Sequence, residues 1–247
     1  MEYLKDIKVI HLEQIDSTNK YAKTLISNSY ETPTLIYADY QLEGRGRLGR
    51  TFISNSGKGI YMTLLFKSMY EMSDISKFTG YTSCIVSHAI DELTGLNTKI
   101  KWVNDIYVNN KKLCGILTES VIKNNECYII VGIGINMLRQ QFDPDLVNKV
   151  TTIEDETNIQ YDFNELIKQI TNDFFLNINM IKTKEYIKTY KEKSNVIGKN
   201  VEVNVGGKII IGRAVDIDEN GELIVNCEEK DIKIFSGEIT KLNLKDE

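Results

Sequence analysis

Histidine and cysteine are scarce in this sequence, and no long apolar run occurs. Two histidines and four cysteines (Cys84, Cys114, Cys127, Cys227), scattered without metal-ligand spacing, leave no pattern for a structural zinc site. Each cysteine is expected as a small buried apolar residue in a reducing cytoplasm. No apolar stretch approaches the roughly 18 residues of a membrane span. The N-terminus, Met1-Glu2-Tyr3-Leu4-Lys5-Asp6, lacks a basic region followed by an apolar one, so no signal peptide is expected. Basic residues are outnumbered too, and a net charge of −5 argues against a general nucleic-acid binder. Internal repeats and low-complexity segments are also missing.

What remains is ordinary for a soluble globular chain: 247 residues, 42% hydrophobic and 26% charged, enough for one large domain and a small one. Against that background Gln41-Leu42-Glu43-Gly44-Arg45-Gly46-Arg47-Leu48-Gly49-Arg50 stands out. Three arginines alternate with three glycines, so cations sit on a backbone that can approach a ligand closely. Arginine keeps its charge and offers a planar fork for carboxylate or phosphate oxygens. Ordering such a loop alone is costly, and an anion would supply the missing interactions. Leu35–Tyr40 reads as a strand entering the loop and Gly59–Phe66 as one leaving it, a common way to present a site. A solvated basic loop is the plainer alternative.

Before the loop, residues 7–12 suggest a strand, and Ser17-Thr18-Asn19 opens a helical stripe of Tyr21, Ala22, Leu25 and Ile26. Ser17 and Thr18 serve as caps or, since a helix start has free N–H groups, as contacts to a polar ligand. An amphipathic helix is expected from about Asp74 to Leu93, with Ile75, Phe78, Ile85, Val86, Ala89, Ile90 and Leu93 inward and Gly95 ending it. His88 reads as a packing or surface residue. Lys99–Val108 is expected as one strand, turning at Asn109-Asn110 into a second over Lys111–Glu119. Tyr128–Asn136 follows as an apolar strand whose Gly132 and Gly134 imply close approach to its backbone. Pro144 is expected to start a short helix, Asp162 with Glu165 to cap a longer one, and residues 184–193 to form a polar connecting helix. From Val196 the pattern changes to five or six short strands with tight turns at Gly206-Gly207 and Asp218–Gly221, a small β-barrel.

In these elements the chain resembles the biotin–protein ligases. The matching blocks are Ser17-Thr18-Asn19, Gln41 with Gly44–Arg50, Lys101-Trp102-Val103-Asn104-Asp105, Lys112-Leu113-Cys114-Gly115-Ile116-Leu117 and Gly132-Ile133-Gly134-Ile135-Asn136. They span roughly residues 13–138 in the family's order, with a weaker match over the barrel-like tail. The resemblance implies an α+β fold: a mixed β-sheet flanked by helices, of the class II synthetase-like biotin/lipoate ligase type, followed by an SH3-like β-barrel. Residues 1–194 would be the catalytic domain and 195–247 the barrel.

It also implies a two-step reaction. Biotin and ATP, with magnesium, give biotinyl-5′-AMP and pyrophosphate; biotin then passes to a lysine of a biotin carboxyl carrier domain. Two anions must meet, so cations are needed. By resemblance Lys101 lies between carboxylate and α-phosphate, although alone it reads as a strand-surface lysine. Arg45 and Arg47 grip carboxylate and phosphates, and Arg50 the nucleotide side. Ser17, Thr18, Asn19 and Gln41 line the biotin end, with Gly44 and Gly46 in the loop and Gly115, Gly132 and Gly134 allowing close approach to the sheet. Phe52, Asn104 and Asn136 belong to the nucleotide side. Asp105 orients a lysine or is a plain surface carboxylate. Val103 stands where the family commonly has proline, and Phe52 where it has tryptophan. The Ser17 block begins so near the N-terminus that no DNA-binding segment, hence no repressor role, is expected. A cytoplasmic enzyme is implied, free of DNA and membrane, with homodimer pairing through a sheet edge as one option. A lipoate–protein ligase and a non-catalytic ligand sensor are the rival readings.

Overall fold

The computed structural model describes Leu4 and residues 6–28, 30, 33–70, 75–228 and 230–242. The expected helix start at Asp74, and the side chain of Ile75, lie outside the described residues. The larger unit is a seven-stranded sheet in the order β1-β2-β3-β7-β6-β5-β4. Its strands are β1 (Lys8–Ile15), β2 (Thr34–Gln41), β3 (Gly59–Lys67), β4 (Lys99–Lys101), β5 (Asp105–Val108), β6 (Lys111–Lys123) and β7 (Glu126–Asn136). Only β1 and β2 run parallel, joined by helix α1 (Thr18–Ser27); the other neighbours are antiparallel.

Residues directly opposite in an antiparallel ladder share a face. On one face Ile60 meets Ile135, Met62 meets Ile133 and Leu64 meets Val131. These join a core with Phe78, Tyr81 and Ala89 of α2 (Ile75–Thr94) and Leu166, Ile170 and Phe174 of the later helix Phe163–Leu176. Phe66 lies 5.4 Å from Phe78 and 5.6 Å from Phe174, ring centre to ring centre. Each such buried side chain contributes roughly 1.5–3 kcal/mol over exposure. On the opposite face Tyr61 meets Gly134 and Thr63 meets Gly132. There α1 covers only part of the sheet, with Ala22 and Ile26 against Ile36, Leu65 and Ile130. Beyond α1 the glycines leave the face open, and that opening is the cleft described below.

The helices between sheet and tail are α3 (Ile153–Thr157), α4 (Phe163–Leu176), α5 (Met180–Thr183) and α6 (Tyr186–Lys193). The expected caps appear: Ser17 accepts from the N–H of Lys20, and Asp162 from that of Asn164. Gly95, with φ +72°, follows α2 as expected. His88 is a surface residue beside Glu92.

Two expectations are corrected. Residues 99–108 are not one strand but a hairpin, β4 and β5 joined by a turn at Trp102, Val103 and Asn104, with a cis peptide between Trp102 and Val103. The Trp102 indole is drawn inward, donating to Gly221 O at 3.0 Å, while Asn104 Nδ2 donates to Ile116 O at 2.9 Å. Tertiary partners thus overrule the strand pattern. Pro144 starts no helix: residues 144–149 form successive turns, with Leu146 and Val147 both donating to Asp143 O.

The expected β-barrel is a five-stranded antiparallel sheet in the order β11-β10-β9-β8-β12. Its strands are β8 (Asn200–Val205), β9 (Lys208–Ile217), β10 (Leu223–Cys227), β11 (Lys230–Ile234) and β12 (Glu238–Leu242). Val201, Val203, Ala214 and Val225 fill its interior and are continuous with the larger core. Lys191 of α6 reaches Asp216 of β9 at 2.8 Å. The tail therefore packs on the large sheet and reaches its open face.

Candidate functional site

The cleft's floor is built from absence of side chains. Gly115 of β6 and Gly134 of β7 are directly paired, and Gly132 lies two residues back on the same face. A Cβ at Gly134 would stand 2.5 Å from Phe52 Cζ, so the aromatic ring rests on the sheet only because this residue is glycine. Phe52 also meets Tyr61 edge-on at 6.3 Å.

The inner end is polar and buried. Ser17, Thr18, Asn19 and Gln41 are each no more than 9% exposed and line the cleft. Gln41 Oε1 accepts from the Thr18 N–H at 2.9 Å, and Gln41 Nε2 donates to Ser54 Oγ at 3.1 Å. These residues meet because β1 hands the chain to α1 beside the end of β2.

The outer end is cationic. In the arginine loop the Phe52 N–H donates to Gly44 O at 2.8 Å and the Gly46 N–H to Arg50 O at 2.7 Å. A Cβ on Gly44 would collide with Phe52 and Ser54, so the loop closes only with glycine there. Arg45, Gly46, Arg47 and Arg50 all line the cleft. Arg45 is bridged to Thr51 through its backbone, and its guanidinium has no partner among the described residues. Arg47 donates to Asn104 Oδ1 at 3.3 Å, Gly237 O at 3.2 Å and Ser236 Oγ at 3.0 Å. Burial pulls its guanidinium below its ordinary pKa, against the pull of Asp105 and Glu238.

Most of the expected site residues are thus brought together, with Asn104 and Gly115 among the lining. Gly44 closes the loop behind it. Two stand at its margins. Asn136 shares the face of Gly132 and Gly134 but is buried past the lining, its Nδ2 donating to Thr151 O at 3.1 Å. Lys101, expected between the reactants, pairs with Asp105, which pairs with Gly115, so it stands on the cleft's face at the β4 edge, its ammonium 5.7 Å from the Tyr107 ring centre. Burial lowers its pKa, opposed by Asp105 and Glu238.

Lys112, which the sequence reading passed over as part of a block, lines the cleft as well. Its Nζ lies 2.7 Å from Asp105 Oδ1, an ion pair not aligned as a hydrogen bond, and 3.2 Å from where a Gly115 Cβ would be. The cause is a bulge. Ile106 pairs with Cys114 but Tyr107 with Lys112, so Leu113 is the extra residue in β6. One inserted residue reverses the alternation, and Lys112 comes to the face of Gly115 despite an odd spacing of three.

The cleft therefore joins a buried neutral polar end to a mouth where Arg45, Arg47, Arg50 and Lys112 outnumber Asp105 and Glu238. That arrangement suits an elongated ligand with a hydrogen-bonding head and an anionic tail.

Comparisons with known proteins agree. The Biotin/lipoate A/B protein ligase family matches residues 11–136, and the Biotin protein ligase C terminal domain matches residues 196–242. The chain is 32% identical over 237 residues to the bifunctional ligase/repressor BirA of Bacillus spizizenii, covering 94% of this chain and 73% of that one. It is 24% identical over 221 residues to the biotin–[acetyl-CoA-carboxylase] ligase of Mycobacterium tuberculosis, covering 84% and 79% of the two chains. The Aquifex aeolicus biotin protein ligase, solved with biotin and ATP, superposes with a TM-score of 0.81 at 29% identity, over 95% of this chain and 98% of that one. The chain is a member of the biotin/lipoate A/B protein ligase family.

Proposed function

We propose that this protein is an ATP-dependent biotin–protein ligase of the cytoplasm. It forms biotinyl-5′-AMP with release of pyrophosphate, then transfers biotin to a lysine of a biotin carboxyl carrier domain. The observation that carries the reading is the polarity of the cleft. Its buried amides and hydroxyls suit a urea, and its unpaired Arg45 with Lys112 suits a carboxylate meeting a phosphate.

In the first step a biotin carboxylate oxygen attacks the α-phosphorus of ATP, and the bond to pyrophosphate breaks. Arg45, Arg47 and Lys112 lower the repulsion between the two anions and hold them in line. Asp105 orients Lys112, Lys101 adds charge from the β4 edge of the same face, and Arg50, Phe52, Asn104 and Asn136 serve the nucleotide. In the second step the acceptor amine attacks the acyl carbon, AMP leaves and the amine loses its proton. Closing the arginine loop keeps water from the mixed anhydride in between.

Magnesium enters this proposal as the companion of ATP. Among the described residues no group of three or more His, Cys, Asp or Glu stands together to cage a metal, and magnesium carried on the phosphates of ATP needs no such cage. Residues 1–194 would act as the catalytic domain, which carries the arginine loop, and 195–247 as the small barrel domain that braces it. Among the described helices none is long and apolar enough to cross a membrane. A second copy or an acceptor strand would add at the open edge of β1, since β4 is already bridged by Ser194 at Ile100.

The test is ATP–pyrophosphate exchange, run with biotin and with lipoate. Exchange that needs biotin is expected, and Arg47→Ala should abolish it in a folded chain. Exchange driven by lipoate alone would hand the reading to the lipoate branch.

A further inference from the structure

Behind the inner end of the cleft lies a second polar layer, Thr63 of β3 and Glu119 of β6. Four oxygens stand in a row: Gln41 Oε1, Thr18 Oγ1, Thr63 Oγ1 and Asn19 Oδ1, at successive separations of 3.1, 2.8 and 2.7 Å. Only Thr18 and Thr63 carry hydroxyl protons, so two protons serve three contacts. Gln41 Oε1 is held as an acceptor by the backbone N–H of Thr18 at 2.9 Å. Asn19 Oδ1 is an acceptor only while its nitrogen is engaged elsewhere. That nitrogen donates to Glu119 Oε2 at 2.9 Å and to Leu117 O at 3.3 Å, two atoms that can only accept. With acceptors at both ends the row is one proton short, in a site where Thr63 is fully buried and Asn19 is 4% exposed.

Resting on the biotin reading above, we propose that Glu119, with Thr63, is a positioning residue that makes the cleft selective for a ligand donating N–H groups, as a urea does. Glu119 prevents the Asn19 amide from turning over. A turned amide would donate to Thr63 itself, complete the row without a ligand and leave the urea nothing to donate to. Glu119 Oε1 is meanwhile occupied by Lys23 Nζ at 2.7 Å, which keeps Oε2 turned toward Asn19.

Calorimetry on the full chain tests this. Glu119→Ala should weaken biotin about tenfold, the scale of one partly buried hydrogen bond to a charged group. Desthiobiotin, which keeps the urea, should weaken by the same factor, with ATP affinity and kcat within about twofold of wild type. Glu119→Gln, which retains an acceptor oxygen, should restore biotin binding to within about threefold. A folded Glu119→Ala that binds biotin normally, or that loses ATP as much as biotin, overturns the proposal. Should Glu119→Ala fail to fold, Thr63→Val, equal in shape and lacking the hydroxyl, carries the test: about tenfold weaker biotin supports it and unchanged binding overturns it. A wild-type chain that binds no biotin overturns the ligase reading and this inference together. Wild-type binding with an indifferent Glu119→Ala overturns this inference alone.

Discussion

Arg50 and Glu238 form a two-pronged ion pair, Nη1 to Oε1 at 2.5 Å and Nη2 to Oε2 at 2.6 Å, joining the arginine loop to β12 across 188 positions of sequence. With Arg47 bound to Ser236 and Gly237, the small domain holds two of the loop's three cations. The loop is thus braced from outside the domain that carries it.

That brace gives the first prediction. The Arg50 side chain is 67% exposed, so the pair contributes at most about 1 kcal/mol to global stability. Glu238→Ala should leave Tm within a few degrees of wild type yet speed tryptic cleavage at Arg45, Arg47 and Arg50. Biotin with ATP should restore protection. Cleavage unchanged in the variant would show that the loop is ordered without the small domain.

The bulge at Leu113 leads to the second. Lys112→Ala should lower biotin-dependent pyrophosphate exchange at least about tenfold, since a charge-assisted contact is worth roughly 1.5–3 kcal/mol. Lys101→Ala should cost less, because β4 stands farther from the glycine floor than β6, which carries Lys112. The reverse order of losses would return Lys101 to the reacting centre.

Gly134 and Phe52 should behave as a coupled pair. Gly134→Ala puts a methyl where the Phe52 ring now lies, an overpacking cost of roughly 1–3 kcal/mol in denaturant unfolding. In a Phe52→Ala background the same change should cost much less, because the obstacle is gone. Additive losses would mean that the ring does not rest on the floor.

Asp218 predicts a pH dependence in the small domain. Burial pushes its carboxyl up, but Lys233 and the N–H groups of Asn220 and Glu222 outweigh burial and hold it below its ordinary 3.8. A depressed native pKa means stability that is present above pH 3.8 and lost as pH falls through the native value. Asp218→Asn should therefore lower Tm near pH 7, with the gap to wild type closing below pH 3.8. A gap that is constant with pH would assign the effect to packing alone.

Much of the site was legible in the chain itself, because it depends on local chemistry. Ser17 caps α1 because a short hydroxyl before a helical stripe has free N–H groups to satisfy. The alternation of glycine and arginine between two apolar strands marks a cationic loop whatever its surroundings. Lys112 was not legible as the cleft's lysine, since regular alternation turns it away from Gly115 and only the pairing with β5 shows the extra residue. Nor was the break at Trp102 and Val103, which depends on an indole reaching Gly221 in another domain. Pro144 misled for a related reason: proline suits a helix start but cannot make the following residues continue one.

By itself, then, the sequence determined which chemistry is present: pliant cations, buried hydroxyls and amides, strands interrupted by glycine. Those properties belong to residue types and their nearest neighbours along the chain. Only the tertiary structure decided which lysine enters the cleft, which carboxylate restrains Arg50 and which way the Asn19 amide faces. Each of those depends on pairing between strands or domains far apart in sequence, where one residue of register reverses a side chain's direction.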